Sequence, residues 1–310
     1  MKWSFNIFYI IPTCIAFSCN AAVLEPETAI INARINCDAI SQSFGSMKTT
    51  AQINTAVTGV GTAAGAGATI VGLAKASTDK QIEKLISDVK QREISRGAFN
   101  SNIDDIQDFT ESTIALVRSQ SKTQIETAEK LEQRSKNLGN WRTGLLATNT
   151  ATNIAGTIIA ANNRTDQDLR TQLNKCIQSI HDLQDSKMQA RINNVDPAVL
   201  QTMDNIINAC RDYDTLDISK IDNKASGAAI SSGIGIAVGT AGTITSAAAN
   251  SDKVRNGDDA KEKNLNTASN VLAAGATVTS GIATVFNAQQ SSTLSKAQKI
   301  ATQCSEALNQ

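Results

Sequence analysis

Six cysteines and a single histidine are the side chains here best suited to nucleophilic, redox or metal chemistry. Cys14 and Cys19 lie in the first 21 residues; Cys37, Cys176, Cys210 and Cys304 are scattered along the rest with no close Cys pair among them. With His181 alone, a Cys/His zinc site or a Cys–His dyad would rest on one imidazole, and the polar helical stretch around it reads as a solvated surface. Four thiols in an exported chain read instead as two disulfides.

The carboxylates offer no better machinery. Asp104, Asp105 and Asp108 suit a helix N-terminus, where negative charge is favoured. Asp212, Asp214, Asp217 and Asp222 form a loose acidic stretch without the ligand order or glycine of an EF-hand loop. Gly59-Val60-Gly61-Thr62-Ala63-Ala64 satisfies a G-x-G-x-x-A pattern, with Asp79 downstream, but no strand precedes it and similar composition recurs where the pattern does not. No catalytic residue, cofactor or metal ligand is predicted. Balanced charge, 29 Lys+Arg against 29 Asp+Glu, gives no basic footprint for nucleic acid.

Residues 1–21 carry one positive charge, an apolar run and small residues, the three parts of a secretory signal with cleavage after Ala21. Ala16-Phe17-Ser18-Cys19 offers a lipoprotein-type alternative with Cys19 acylated. Either places the chain in the periplasm, cell envelope or extracellular space.

The elements that would position the cysteines repeat. Ile30-Ile31-Asn32-Ala33 precedes Cys37 and Ile206-Ile207-Asn208-Ala209 precedes Cys210, while Lys136-Asn137-Leu138 and Lys263-Asn264-Leu265 stand at nearly equal distances before Cys176 and Cys304. Each half, 22–185 and 186–310, runs entry helix, uncharged segment, connection, uncharged segment, exit helix. Residues 78–135 lengthen the first connection into a helical arm, with Ile82, Leu85, Ile86 and Val89 at helical spacing. The expected fold is all-α: duplicated helical hairpins forming a Gly/Ala/Thr-rich four-helix bundle with a protruding arm. A hairpin brings its exit back to its entry, which pairs Cys37 with Cys176 and Cys210 with Cys304; cross-half pairing remains open if all four thiols share one end.

Four segments lack any charge: Thr49 to Ala74, Thr143 to Asn163, Ala225 to Ser251 and Asn264 to Ser295. Small residues recur in them every four positions, as in Gly144, Thr148, Thr152 and Gly156, and in Gly227, Ser231, Gly235 and Gly239, a glycine-zipper spacing that lets helix backbones approach closely. Two settings fit. Few large aliphatics per segment, with Asn149 and Asn153 inside the second, favour a water-soluble bundle; the length of each segment permits membrane hairpins serving as anchor or pore. The expected function is non-enzymatic: an exported structural or interaction protein whose arm binds a protein partner, with self-association or membrane insertion as the alternative use of the zipper helices.

Overall fold

The computed structural model describes residues 24–95, 122–255, 257 and 259–310. The signal segment with Cys19, and residues 96–121 of the arm including Asp104, Asp105 and Asp108, lie outside the described residues. Within them every regular element is helical: α1 (Pro26–Ser95), α2 (Lys122–Asn162), α3 (Gln167–Ile192), α4 (Pro197–Cys210), a 3-10 turn (Arg211–Thr215), α5 (Ile218–Ala249), the short α6 (Asp252–Arg255) and α7 (Asp259–Leu308).

Local chemistry fixes the helix starts near the turns. The Asp166 carboxylate accepts from Leu169 N at 2.7 Å to begin α3, Asp196 caps α4 with Pro197 in its first turn, and Asp217 accepts from Lys220 N to begin α5. Such caps satisfy backbone donors that the first turn leaves open. The Ser219 hydroxyl, aided by Lys220, holds the Asp217 carboxyl below the usual carboxylate range. Asn194, with φ of 52°, takes the left-handed conformation that reverses the chain between α3 and α4.

The 70 residues of α1 extend about 105 Å at 1.5 Å per residue. Cross-helix bonds set its neighbours: Asn149 of α2 reaches the Gly61 carbonyl, and Asn54 reaches Asn287 of α7. On the far side, Thr143 of α2 meets Ser246 of α5, and Ser269 of α7 meets the Gly242 carbonyl of α5. The four long helices therefore close a ring in the order α1, α2, α5, α7, each antiparallel to both neighbours. Past Glu83, which pairs with Lys263 near the start of α7, α1 runs on to Ser95. Residues 78–95 and 122–135 of the arm are thus direct continuations of α1 and α2.

At the opposite end α3 and α4 pack across the ring to make a head. Its core is conventional: Ala33, Ile40 and Phe44 from α1, Leu173, Ile180 and Leu183 from α3, Met203 and Ile206 from α4, and Leu294, Ala301 and Leu308 from α7. Tyr213 is buried there with its hydroxyl unpartnered, and burial pushes its phenol above the ordinary range. Disulfides join Cys37 to Cys176 and Cys210 to Cys304, with Cα separations of 4.9 and 4.6 Å; this is the within-half pairing. All four cysteines lie in this head core. Arg34 Nε donates to the Leu308 carbonyl at 2.6 Å, capping the end of α7.

Closing a loop of 139 residues contributes about 5 kcal/mol in the chain-entropy account. The double substitution Cys37→Ser/Cys176→Ser is expected to lower unfolding free energy by about 3 to 5 kcal/mol. Denaturant titration of the variant checks this, and an unchanged midpoint contradicts it.

Candidate functional site

Beyond the head, the usual distribution of polar and apolar side chains inverts. Along α1 from Ile53 to Leu73 the exposed residues are Ile53, Ala56, Val60, Ala63, Ile70 and Leu73. On α2 they are Trp141, Gly144, Ala147, Thr148, Ala151, Ile154, Ile158 and Ala161; on α5, Ile230, Ile234, Ala237, Thr240, Ile244 and Ala247; on α7, Ala268, Val271, Ala274, Val278, Ile282 and Val285. Thr148 and Thr240 are the polar residues among these, and exposed Gln52, Asn162 and Thr267 adjoin the ends of the belt. Ile70, Val271 and Trp141 are exposed by 67, 68 and 69%, whereas Asn149, Asn153 and Ser280 are fully buried. Half-buried threonines turn their hydroxyls onto their own helices, as Thr55 does to the Ala51 carbonyl at 2.8 Å and Thr157 to Asn153 O at 2.8 Å. Exposed aliphatics also occur on the head, at Ile31, Ile35, Met188 and Ile192, but there Arg34, Lys187 and Arg191 stand among them.

The interior of the belt is a ladder of polar layers. Nearest the head, Gln290 Nε2 donates to the Asn163 carbonyl at 2.8 Å. Next, Asn54 Nδ2 donates to Asn287 Oδ1 at 2.9 Å, and Asn287 Nδ2 to Thr58 Oγ1 at 3.3 Å. In the middle, Asn149 Nδ2 donates to Gly61 O at 2.6 Å and to Ser280 Oγ at 3.0 Å, while Asn153 Nδ2 reaches the same hydroxyl at 2.9 Å. Buried alanines, among them Ala64, Ala276 and Ala283, lie between these layers, and a small hydrophobic cluster of Leu146 with Ala68 and Ala273 follows.

Below that layer sits Arg142, 1% exposed, donating to Ser246 Oγ at 3.1 Å, Asn270 Oδ1 at 3.0 Å and Asn266 Oδ1 at 3.2 Å. Lys75, equally buried, pairs with Asp79 at 2.8 Å and Glu262 at 2.9 Å, and Ser135 donates to Asp79 at 2.6 Å. Asn266 links the two cations by donating to Glu262. Two cations and two carboxylates balance, so the network carries no net charge. Buried charge demands such pairing because an isolated ion in a low-dielectric interior is prohibitively costly.

Glycines admit these side chains. A Cβ on Gly235 would stand 2.8 Å from the Asn153 carboxamide, one on Gly239 2.6 Å from Thr150 Oγ1, and one on Gly156 2.7 Å from Thr58 Cγ2. The predicted packing residues divide accordingly. Gly156, Gly235 and Gly239 face neighbouring helices, Ser231 is buried, Gly227 lies against the Phe286 ring, and Thr152 faces Gly61. Gly144 opens onto empty space and Thr148 is exposed. The reason is geometric: four residues turn a helix by 400°, so a strict four-residue stripe drifts about 40° per step and leaves the interface within three steps.

Other candidate residues are spent on structure. Asp222 accepts from the Thr165 amide at 2.7 Å and pairs with Arg170; Asp214 lies 3.7 Å from His181, both about half exposed. Gly59 to Ala64 is interior to the uninterrupted α1. Among the described residues no group of three or more His, Cys, Asp or Glu is placed to hold a metal ion. Sequence reasoning missed Lys75 and Arg142, which flank charge-free segments by one residue, and Ser280, which resembles any surface serine. The Lys75–Asp79 spacing of four was the available signal for the first.

No protein-family model, curated protein or solved structure matches the chain.

Two glycine substitutions should act with opposite sign. Gly144→Ala gains helix propensity in open space and is expected to stabilise by about 0.5 to 1 kcal/mol. Gly235→Ala forces Asn153 aside and is expected to destabilise by about 1 to 3 kcal/mol. Thermal unfolding of the pair checks this; equal shifts contradict the assigned packing.

Proposed function

We propose that this chain is an exported, non-enzymatic membrane protein, whose duplicated zipper hairpins form a four-helix bundle seated in a bilayer. The observation that carries the reading is the inverted distribution: aliphatic belt outside, hydrogen-bonded asparagine, serine and charged residues inside. In water, apolar side chains gain by facing one another; in lipid, nothing is gained by hiding them, and polar groups must find partners within the protein.

Dimensions support the same setting. The exposed apolar run from Ile53 to Leu73 covers about 30 Å at 1.5 Å per residue, the thickness of a hydrocarbon core. Among the described residues, three helices hold stretches long and apolar enough to cross a membrane, each with mean hydropathy of 1.4. The fourth, α2, carries Asn149 and Asn153, both paired inside the bundle. Singly, such segments insert poorly; assembled, they present fourteen large apolar side chains outward. Trp141 stands at the lower edge of the belt, where an indole favours the membrane–water boundary.

The disulfides support placing the head on the oxidising face, with the arm on the other side of the bilayer as the protein-binding part. The competing reading is a soluble envelope protein whose belt is covered by further copies, favoured by that moderate hydropathy. Because the belt faces outward from all four helices, one partner copy would cover only part of it.

Carbonate extraction and flotation of the expressed chain distinguish the two. Recovery in the membrane pellet, and co-flotation of purified protein with phosphatidylcholine liposomes, are expected. A detergent-free soluble species that stays at the bottom of the gradient would overturn the membrane reading.

A further inference from the structure

The belt is recessed on the outer face of α2. In its arm-side half, α1 presents Ile70 and Leu73 outward, α5 presents Ile244 and α7 presents Val271. The exposed residues of α2 from Gly144 to Ala151 are only Gly144, Ala147, Thr148 and Ala151. They border a surface cleft of about 430 Å³ lined by Asn140, Trp141, Gly144, Leu145 and Thr148. A Cβ on Gly144 would meet nothing within 4 Å, whereas one on Gly67 of α1 would stand 3.3 Å from Leu145 Cδ1, so Leu145 leans against α1 and makes one wall. Thr148 turns its hydroxyl onto the Gly144 carbonyl at 3.0 Å, so no free donor lines the inner part.

At the edge of the belt the chemistry of the recess changes. Trp141 marks that edge, and Trp141 to Ala151 extends about 15 Å at 1.5 Å per residue, the depth of one leaflet of hydrocarbon. Seven residues before Trp141, two turns of helix bring Arg134 to the same face, exposed and without an ion pair among the described residues. Lys136 stands near it, loosely paired with Asp252 at 3.6 Å, and Glu132 is occupied by Arg255 at 3.9 Å. Three cations thus stand against two carboxylates, and positive charge is in surplus at the rim. At the mouth, Asn140 Oδ1 accepts from Asn250 at 3.2 Å, and the Asn140 amide group donates to nothing among the described residues.

We propose that this cleft, on the membrane reading, binds one phospholipid with an anionic headgroup. An acyl chain lies along Gly144, Leu145 and Thr148, and the phosphate meets Arg134, Lys136 and the Asn140 amide. Apolar lining within the hydrocarbon and surplus positive charge just beyond it match the two ends of such a lipid. Arginine suits the phosphate because its planar fork donates two parallel bonds. With the head on the oxidising face, the cleft opens into the opposite leaflet, whose surface is the negative one in a plasma membrane. The same site accounts for Gly144, which costs helix stability and packs against nothing in its own chain: it leaves room outside.

The test uses the full chain carrying Trp3→Phe, in which Trp141 is the only indole, floated with phosphatidylcholine liposomes after non-reducing electrophoresis confirms both disulfides. A small, equal share of the lipid is replaced by brominated phosphatidylglycerol or by brominated phosphatidylcholine, and quenching of Trp141 by the two is compared. Phosphatidylglycerol is expected to quench at least about threefold more, a preference that two cations at the membrane surface can produce. Arg134→Gln/Lys136→Gln is expected to bring that ratio to about one with quenching by phosphatidylcholine retained. Gly144→Leu, which enters open space, is expected to lower the ratio by filling the cleft. Equal quenching by the two lipids before either change overturns the proposal. So does a ratio that the charge variant leaves unchanged, or one that Gly144→Leu leaves unchanged, since attraction to the surface then needs no cleft. Protein that floats with Trp141 quenched by neither lipid has the cleft covered by a second copy, which also overturns it. Protein that fails to float contradicts the membrane reading instead.

Discussion

The Asn149 carboxamide is the interaction on which the long part of this molecule depends. It donates at once to the Gly61 carbonyl of α1 and to Ser280 of α7, tying three of the four long helices through one side chain. Reaching a backbone carbonyl inside an intact helix requires that the neighbouring backbone come close, and Gly61 allows this by lacking a Cβ. The carbonyl it uses already accepts from its own helix, so the bond is a second use of one oxygen rather than a rupture of α1. From that layer the rest of the ladder extends in both directions, each carboxamide meeting a partner one or two turns away.

Two packing patterns meet in one chain. In the head, Phe44, Leu183, Met203, Tyr213 and Leu294 gather inside as they do in any water-soluble domain. Along the belt, mostly isoleucine and valine side chains point outward, and apart from Leu146 the interior is built from small and polar groups. The change occurs where α3 and α4 stop covering the ring, so it is tied to architecture and not to overall composition. Lys75, Arg142, Asp79 and Glu262 close the far end with a neutral network, while the disulfides close the near end covalently. Between these ends the helices are held by hydrogen bonds and close backbone contact.

Much of this was legible in the sequence. Charge-free segments announced the long helices, and the hairpin logic found both cysteine pairs because entry and exit helices return to the same level. What each uncharged helix faces was not legible. Asparagine and threonine tolerate either side of a helix, and a four-residue repeat of small residues names a spacing without fixing a direction: Gly156 meets α1, while Gly144 on the same stripe meets nothing. Asn149 and Asn153 count against membrane insertion as residues of an isolated segment; with Ser280 and Gly61 supplied by other helices, that cost is met. Arg142 looks like a flanking surface charge because its acceptors, Asn266 and Asn270, lie more than a hundred residues away, and Lys75 shows locally only Asp79 and not Glu262. Long-range partners of this kind leave no local trace.

The central claim is that the belt faces lipid, and Trp141 reports on it directly. The chain holds two tryptophans, Trp3 and Trp141; with Trp3→Phe, Trp141 becomes the only indole. Fluorescence of this variant in liposomes containing brominated phosphatidylcholine should be quenched strongly by bromines placed near the headgroup and weakly by aqueous iodide. Ready quenching by iodide, with emission indifferent to brominated lipid, would contradict the account and return the belt to water.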